Sequence, residues 1–116
     1  MKTTLFVSSA QKEMQTERRA IKDYVQGDPM LRRFFEEFLF EDLPASDRRA
    51  DHVYLSEVDR CGIYVGLLGN EYRSPTEREF DRATSKGKTR LMFVKGTDDK
   101  ARHPKMRALI KKAADQ

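Results

Sequence analysis

The stretch "GIYVGLLG", residues 62–69, is apolar at nearly every position. A strand in the middle of a parallel sheet is covered by helices on both faces and therefore needs such a run. A strand with one solvent-exposed face instead alternates apolar and polar residues. The segment "TRLMFVKG" (89–96) has the same character, and "TLFV" (4–7) is a shorter apolar run that ends at Ser8 and Ser9. These three segments predict buried strands.

Segments with helical periodicity separate these strands. Helices are predicted for "AQKEMQTERRAIKDYV" (10–25), "RADHVYLSEVDRC" (49–61), the residues from Ser74 to near Gly87, and "HPKMRALIKKAA" (103–114). The run "FFEEFLF" (34–40) fits a helical turn and a strand, and we assign a turn to about 30–35 and a strand to about 37–41. The alternation predicts a three-layer α/β sandwich, a flavodoxin-like parallel sheet of four or five strands with helices on both faces.

Length and composition narrow the function classes. A chain of 116 residues is expected to form one domain, residues 1–116. No apolar run is long enough for a bilayer, and "MKTTLFVSS" lacks the apolar core of a signal peptide, so a cytoplasmic location is expected. Cys61 is the only cysteine, and His52 and His103 lie far apart. We therefore predict neither a disulfide nor a metal site.

The net charge of +4 comes partly from a basic final segment, "KGTDDKARHPKMRALIKKAADQ" (95–116). Together with Arg18, Arg19, Arg48 and Arg49 it suggests a nucleic-acid surface, whose affinity would fall with salt. A solvated helix face explains the same charges, and acidic residues dilute the patch. Because no nucleic-acid motif and no Walker-type loop is present, direct nucleic-acid binding and motor activity by this segment are not expected.

Polar residues gather where the predicted strands end. In an open parallel sheet, ligands bind outside the carboxyl ends of the strands. The residues expected there, in chain order, are Ser8, Ser9, Asp42, Gly69, Tyr72 and Ser74, followed by Glu79 on the next helix. This mixture suits a polar ligand with an aromatic ring, although Ser8 also fits a helix cap and Asp42 a turn.

The stretch "SPTEREFDRA" (74–83) contains two glutamates with different predicted roles. Ser74, Pro75 and Glu77 match a capping box, in which Glu77 bonds back to the amide of the N-cap residue Ser74. Glu79 lies at the margin of the stripe that should face the sheet. A carboxylate there could act as nucleophile or electrostatic stabiliser at a glycosidic carbon, and the alternative is an ordinary boundary residue of an amphipathic helix.

Four motifs carry a family resemblance: "LFVSSAQKEMQTERRAI" (5–21), "FLFEDLPASD" (38–47), "YLSEVDRCGIYVGLLGNEY" (54–72) and "SPTEREFDRATSKGKTRLMFVKG" (74–96). In this order they resemble a TIR-like domain family of unassigned function, found at the start of bacterial proteins labelled ATP-dependent DNA helicase-related or putative transcriptional regulators. The resemblance implies a flavodoxin-like fold. It also implies that this chain is the N-terminal module of a longer protein.

Two more distant groups, TIR domains that cleave NAD and nucleoside deoxyribosyltransferases, sharpen the site prediction. Their pattern of a glutamate, a hydrophobic residue, two further residues, alanine and then Gly-Lys resembles "EFDRA" followed by "GK", which selects Glu79. The resemblance implies that Ser8, Ser9 and Asp42 line a ribose pocket and that Tyr72 stacks on a base. It implies no certain cofactor, but NAD or another nucleotide as a ligand whose N-glycosidic bond is cleaved.

The chain departs from its resembling family in one loop. Only Arg73 separates the motif ending at Tyr72 from the one beginning at Ser74, where the family usually has a longer segment. Many TIR-like domains are also inactive and self-associate. The alternative function is therefore a non-catalytic interaction or sensory module of a DNA-associated regulator, which associates with itself or with downstream domains.

Overall fold

The computed structural model describes residues 2–10, 12–38, 51–96 and 99–115. Four strands form one parallel sheet in the order β2-β1-β3-β4: β1 (Thr3–Ser9), β2 (Phe35–Phe38), β3 (Ile63–Leu68) and β4 (Thr89–Val94). The helices are α1 (Gln15–Gly27), α2 (Pro29–Phe34), α3 (Asp51–Arg60), α4 (Ser74–Ser85) and α5 (Pro104–Ala114), with a short 3-10 helix at Asp99–Ala101. The predicted α/β fold with a parallel sheet is confirmed.

Two apolar clusters show that helices cover both faces of the sheet. On one face, side chains from α3, α4 and α5 pack on Phe6, Tyr64 and Leu68 of β1 and β3. On the other face, Met14 and Ile21 from α1 and the turn before it pack on Val7, Val65 and Leu67. Neighbouring residues of a strand point to opposite faces, so the continuous apolar run of β3 supplies both clusters.

Strand β4 differs from the prediction in its burial. The segment is a strand, as its apolar run indicates, but Leu91, Phe93 and Val94 are 45%, 56% and 44% exposed. The reason is its place at the edge of the sheet, beyond β3. Among the described helices, α1 packs on the face of the sheet to which Leu91 and Phe93 belong. The buried side chains of α1 lie over β1 and β3, so they do not cover β4.

The boundaries of two regions differ from those predicted from the sequence. Strand β1 continues through Ser8 and Ser9, and the residue preceding α1 is Met14, so Ser8 does not cap the first helix. The predicted turn is the helix α2, which begins where the Asp28 carboxylate accepts hydrogen bonds from two amide groups. The second strand was expected at about 37–41 and lies at Phe35–Phe38, while residues 39–41 fall outside the described ones.

Two kinds of feature are absent from the described residues. None of their helices is long and apolar enough to cross a membrane. Within the same residues, no three side chains of histidine, cysteine, aspartate or glutamate group in a way that could hold a metal ion.

Candidate functional site

The strand order places the topological switch point of the sheet, the position where open α/β sheets form their crevice, between β1 and β3. The chain leaves β1 towards β2 on one side and later returns to β3 on the other, which makes this the point where ligands bind in open α/β sheets. At this edge the Ser8 hydroxyl donates a hydrogen bond to Glu79 Oε1 over 2.7 Å. Two of the predicted site residues, 71 positions apart in the sequence, are thus in direct contact.

The position of Glu79 follows from the stripe on α4. Thr76, Phe80 and Ala83 are the buried residues of this helix and face the sheet. Glu79 is half-buried beside them. Ser8 is 1% exposed and pairs with Gly66 in the neighbouring strand. A carboxylate partly shielded from water and fixed by a hydroxyl is suited to stabilise developing positive charge, because charge interactions are stronger where water is excluded.

A buried tyrosine lies behind this pair. Tyr64 is 0% exposed, and its ring stacks on Phe6 and meets Phe80 edge-on. Burial raises the pKa of its phenol, and the nearby Glu79 charge raises it further, so the hydroxyl stays protonated. The sequence indicated Tyr64 only as a core residue of an apolar strand.

Ser9 faces away from Ser8, because successive strand residues alternate. Its hydroxyl accepts a hydrogen bond from Arg18 Nη1 over 2.8 Å, and the same nitrogen donates to the Val7 carbonyl over 3.2 Å. Arg18 is only 2% exposed. Arg18 is therefore not accessible to the nucleic-acid surface that the sequence suggested as an alternative. The burial of Arg18 could have been predicted from the sequence, because Arg18 lies on the same helical stripe as Met14, Ile21 and Val25.

The side chain of Glu13 bridges the crevice from the loop after β1 to the loop after β3. Its carboxylate accepts hydrogen bonds from the amides of Asn70, over 2.7 Å, and Glu71, over 2.9 Å. A Cβ atom at Gly69 would lie 2.6 Å from Glu13 Oε1, so glycine makes this approach feasible. Gly69, which was predicted to contact the ligand, therefore packs against the Glu13 carboxylate. Sequence reasoning missed Glu13.

Tyr72 and Glu77 belong to a separate cluster with α5. Tyr72 Oη donates to Glu77 Oε1 over 2.5 Å, and Lys112 Nζ contacts Glu77 Oε2 over 2.7 Å. The hydrogen bond from Lys112, followed by that from Tyr72, holds the pKa of Glu77 below its usual value. The predicted capping box is wrong, because the N-cap of α4 is Arg73, without a side-chain cap, and Glu77 bonds to these two residues instead.

Two further residues, Ser74 and Asp42, were predicted to contact the ligand. Ser74 is the first residue of α4 and is exposed. Asp42 lies outside the described residues. The structure thus brings together Ser8 and Glu79, places Ser9 on the opposite face and directs the Tyr72 hydroxyl to Glu77.

Comparison with protein families gives a match over residues 4–116 to a domain of unknown function, DUF4062. The chain belongs to the DUF4062 family. The match spans nearly the whole chain, which agrees with the resemblance to a family of unassigned function. The position of this domain in helicase-related proteins or regulators stays a prediction.

Two solved structures resemble this DUF4062 domain in fold. The 2-desoxiribosyltransferase from Leishmania mexicana superposes with a TM-score of 0.61 at 15% identity, over 82% of this chain. The match spans 66% of that enzyme, just under two-thirds of its length. The Clostridium botulinum CMP N-glycosidase BcmB superposes with a TM-score of 0.55 at 16% identity, over 94% of this chain and 81% of its own. No curated protein sequence matches significantly.

The Gly-Lys pair that follows α4 has a structural role in the DUF4062 domain. Gly87 has a φ of 66°, the left-handed conformation that ends helices and that glycine adopts without strain. Lys88 Nζ donates to the carbonyls of Asp59, over 2.6 Å, and Cys61, over 2.9 Å, at the end of α3. The pair therefore ends one helix and caps its neighbour.

Proposed function

We propose that this DUF4062 domain binds a nucleoside or nucleotide and cleaves its N-glycosidic bond with the Glu79 carboxylate. The observation that carries the proposal is the hydrogen bond between Ser8 and Glu79 at the switch point of the sheet. The two solved structures compared above are enzymes that act on N-glycosidic bonds, a 2-desoxiribosyltransferase and a CMP N-glycosidase. Site and fold support the same reaction class.

The reaction suits a carboxylate held in this way. As the bond from the sugar C1′ to the base nitrogen breaks, its electron pair leaves with the base. The base of a neutral nucleoside then takes up a proton from water, whereas the cationic nicotinamide of NAD becomes neutral without one. The Glu79 carboxylate stabilises the positive charge growing on the sugar, or bonds to C1′, on the side away from the base. Water or an acceptor base then attacks C1′ and restores the carboxylate. Ser8 keeps the reacting carboxylate in one orientation.

The test is release of free base, followed by chromatography, from a panel of ribo- and deoxynucleosides, their 5′-monophosphates and NAD. Wild type is compared with Glu79→Gln at protein concentrations high enough to populate oligomers. We expect turnover of at least one substrate by the wild type alone. The proposal fails if the wild type cleaves no substrate of the panel, or if Glu79→Gln releases base as fast as the wild type does.

A second candidate function, self-association, is favoured by the exposed side chains of the edge strand β4. Leu91 and Phe93 form an exposed apolar row on one face of β4, and Val94 is exposed on the other face. No strand of the described residues pairs with the outer edge of β4, and such edges pair readily with other chains. Two copies of the domain could cover this row by packing β4 against β4. The catalytic and the associating functions are compatible, because Ser8 and Glu79 lie at the carboxyl edge of the sheet rather than on this row.

Substituting Phe93 by glutamate should prevent such association, because it places a charge in the apolar row. Sedimentation velocity over a wide concentration range is expected to show the wild type shifting towards a dimer and Phe93→Glu staying monomeric. Tyr24→Glu is the matched control, since Tyr24 is a 66% exposed aromatic residue on α1. A wild type that stays monomeric at every concentration contradicts the prediction.

A further inference from the structure

We propose that Tyr64 is a positioning residue for Glu79 and acts through the hydroxyl of Ser8. The three groups form a relay in which Tyr64 Oη donates to Ser8 Oγ and Ser8 donates to Glu79. The consequence for catalysis rests on the proposed function. The relay itself does not, and it is tested below without a substrate.

The first observation is an unpaired donor. The Tyr64 hydroxyl is buried and has no hydrogen-bond partner of normal geometry among the described residues. Buried tyrosines usually find a partner for their hydroxyl, because removing it from water without one is unfavourable. A phenylalanine would fill the same apolar space between Phe6 and Phe80 without this loss. The hydroxyl therefore needs an explanation other than packing.

The second observation is the direction of the ring. A Cβ atom at Gly66 would lie 3.3 Å from Tyr64 Cε1, so the ring leans over this glycine, two residues further along β3. Gly66 pairs with Ser8 across the strands. The ring thus points towards the carboxyl edge of the sheet, with its hydroxyl directed at the Ser8 and Glu79 pair. A side chain at Gly66 would collide with Met92 and crowd the Tyr64 ring, so glycine leaves room for both.

The third observation is the hydrogen-bonding capacity of Ser8. A serine hydroxyl has one donor and two acceptor positions, and the donor is used by Glu79. Its acceptor positions match the one donor of Tyr64. After burial, which raises the pKa of the Tyr64 phenol, the largest effects on this pKa come from Ser8, which lowers it, and from Glu79, which raises it, so both side chains lie near the phenol.

The relay has a chemical purpose. A hydroxyl that accepts one hydrogen bond becomes a stronger donor in the next, so Tyr64 strengthens the bond from Ser8 to the carboxylate. The carboxylate then keeps a single orientation while the sugar carbon approaches. Tyr64 touches no substrate, because its hydroxyl is inaccessible from the crevice.

The test compares Tyr64→Phe with Tyr24→Phe, which removes a hydroxyl from an exposed tyrosine on α1. In protein labelled with ¹³C at the glutamate carboxyl carbons, the Glu79 resonance is identified by its loss in Glu79→Gln. We expect Tyr64→Phe to shift this resonance, while the other glutamate resonances and the melting temperature stay nearly constant. Tyr24→Phe should leave the resonance in place. An unchanged Glu79 resonance in Tyr64→Phe overturns the relay.

A double-mutant cycle with Ser8→Ala separates the relay from a general packing effect. If Tyr64 acts through Ser8, Tyr64→Phe shifts the Glu79 resonance in the wild type but not in Ser8→Ala. An equal shift in both backgrounds contradicts the relay. The cycle stays informative if one of the single variants is less stable, because it compares the effect of Tyr64→Phe on the Glu79 resonance in the presence and absence of the Ser8 hydroxyl.

Once a substrate is known, Tyr64→Phe should lower kcat about three- to tenfold with little change in KM, because it weakens orientation and not binding. If the resonance shifts as expected but no substrate is cleaved, the proposed function fails and the relay stands. If the substrate is cleaved and Tyr64→Phe alters neither kcat nor the resonance, the relay fails and the proposed function stands.

Discussion

Glu79→Gln should lower the rate of base release by about a thousandfold, because it removes the negative charge that stabilises the sugar cation in the transition state. Glutamine has nearly the same volume, and its amide oxygen can still accept the hydrogen bond from Ser8. The fold and the binding of the substrate are therefore expected to persist. The measurement is kcat from chromatographic base release, with substrate affinity measured separately by calorimetry.

The matched control is Glu77→Gln, which removes a carboxylate two residues earlier on the same helix. Glu77 contacts Tyr72 and Lys112 rather than Ser8, so its loss should leave kcat near the wild-type value. It should destabilise the protein only slightly, since ion pairs with partial exposure contribute about 1 kcal/mol or less. Equal activity in both variants would contradict the assignment of Glu79.

Arg18→Ala is expected to lower the free energy of unfolding by about 3 kcal/mol, since it opens a cavity and leaves buried polar groups unpaired. The affected groups include the Val7 carbonyl and the Ser9 hydroxyl, which both accept from Arg18 Nη1. The change is large because the arginine is almost completely enclosed between α1 and β1. Chemical denaturation followed by circular dichroism measures it.

Arg19→Ala serves as the control for this experiment. Arg19 is the next residue on α1 and is exposed, so its replacement should change the stability by about 0.5 kcal/mol or less. The two substitutions remove the same side chain and the same charge. If both variants unfold at the same denaturant concentration, the buried role of Arg18 is refuted.

The site is held by contacts between elements that are distant in sequence. Glu13 fixes the loop after β3 to the loop after β1, and the Glu77 and Lys112 contact fixes α4 against α5. Contacts of this kind hold the carboxylate of Glu79 on a rigid helix rather than on a loop. Rigid support of the reacting group is what the proposed chemistry requires.

The sequence by itself determined the elements and their class. Each element has a pattern that is local in the sequence: an apolar run for β1, β3 and β4, and a periodic apolar stripe for α1, α4 and α5. Such a pattern identifies a strand or a helix without reference to the rest of the chain. The alternation of strands and helices then leaves a parallel sheet with helices on both faces. The margin of the buried stripe, where Glu79 lies half-buried, is likewise a local property of α4, whereas the catalytic role of Glu79 stays a prediction.

Only the tertiary structure decided which polar groups meet. Glu77 had a plausible local partner in the helix cap, yet its carboxylate bonds to Tyr72 and to Lys112, which lies 35 residues away. The partners of Glu13 and Ser8 lie 57 and 71 residues away. A polar side chain has several alternatives of similar free energy, water among them, so its local pattern does not select one. The packing of whole elements does, as it also decides that β4 is an edge strand with an exposed apolar face.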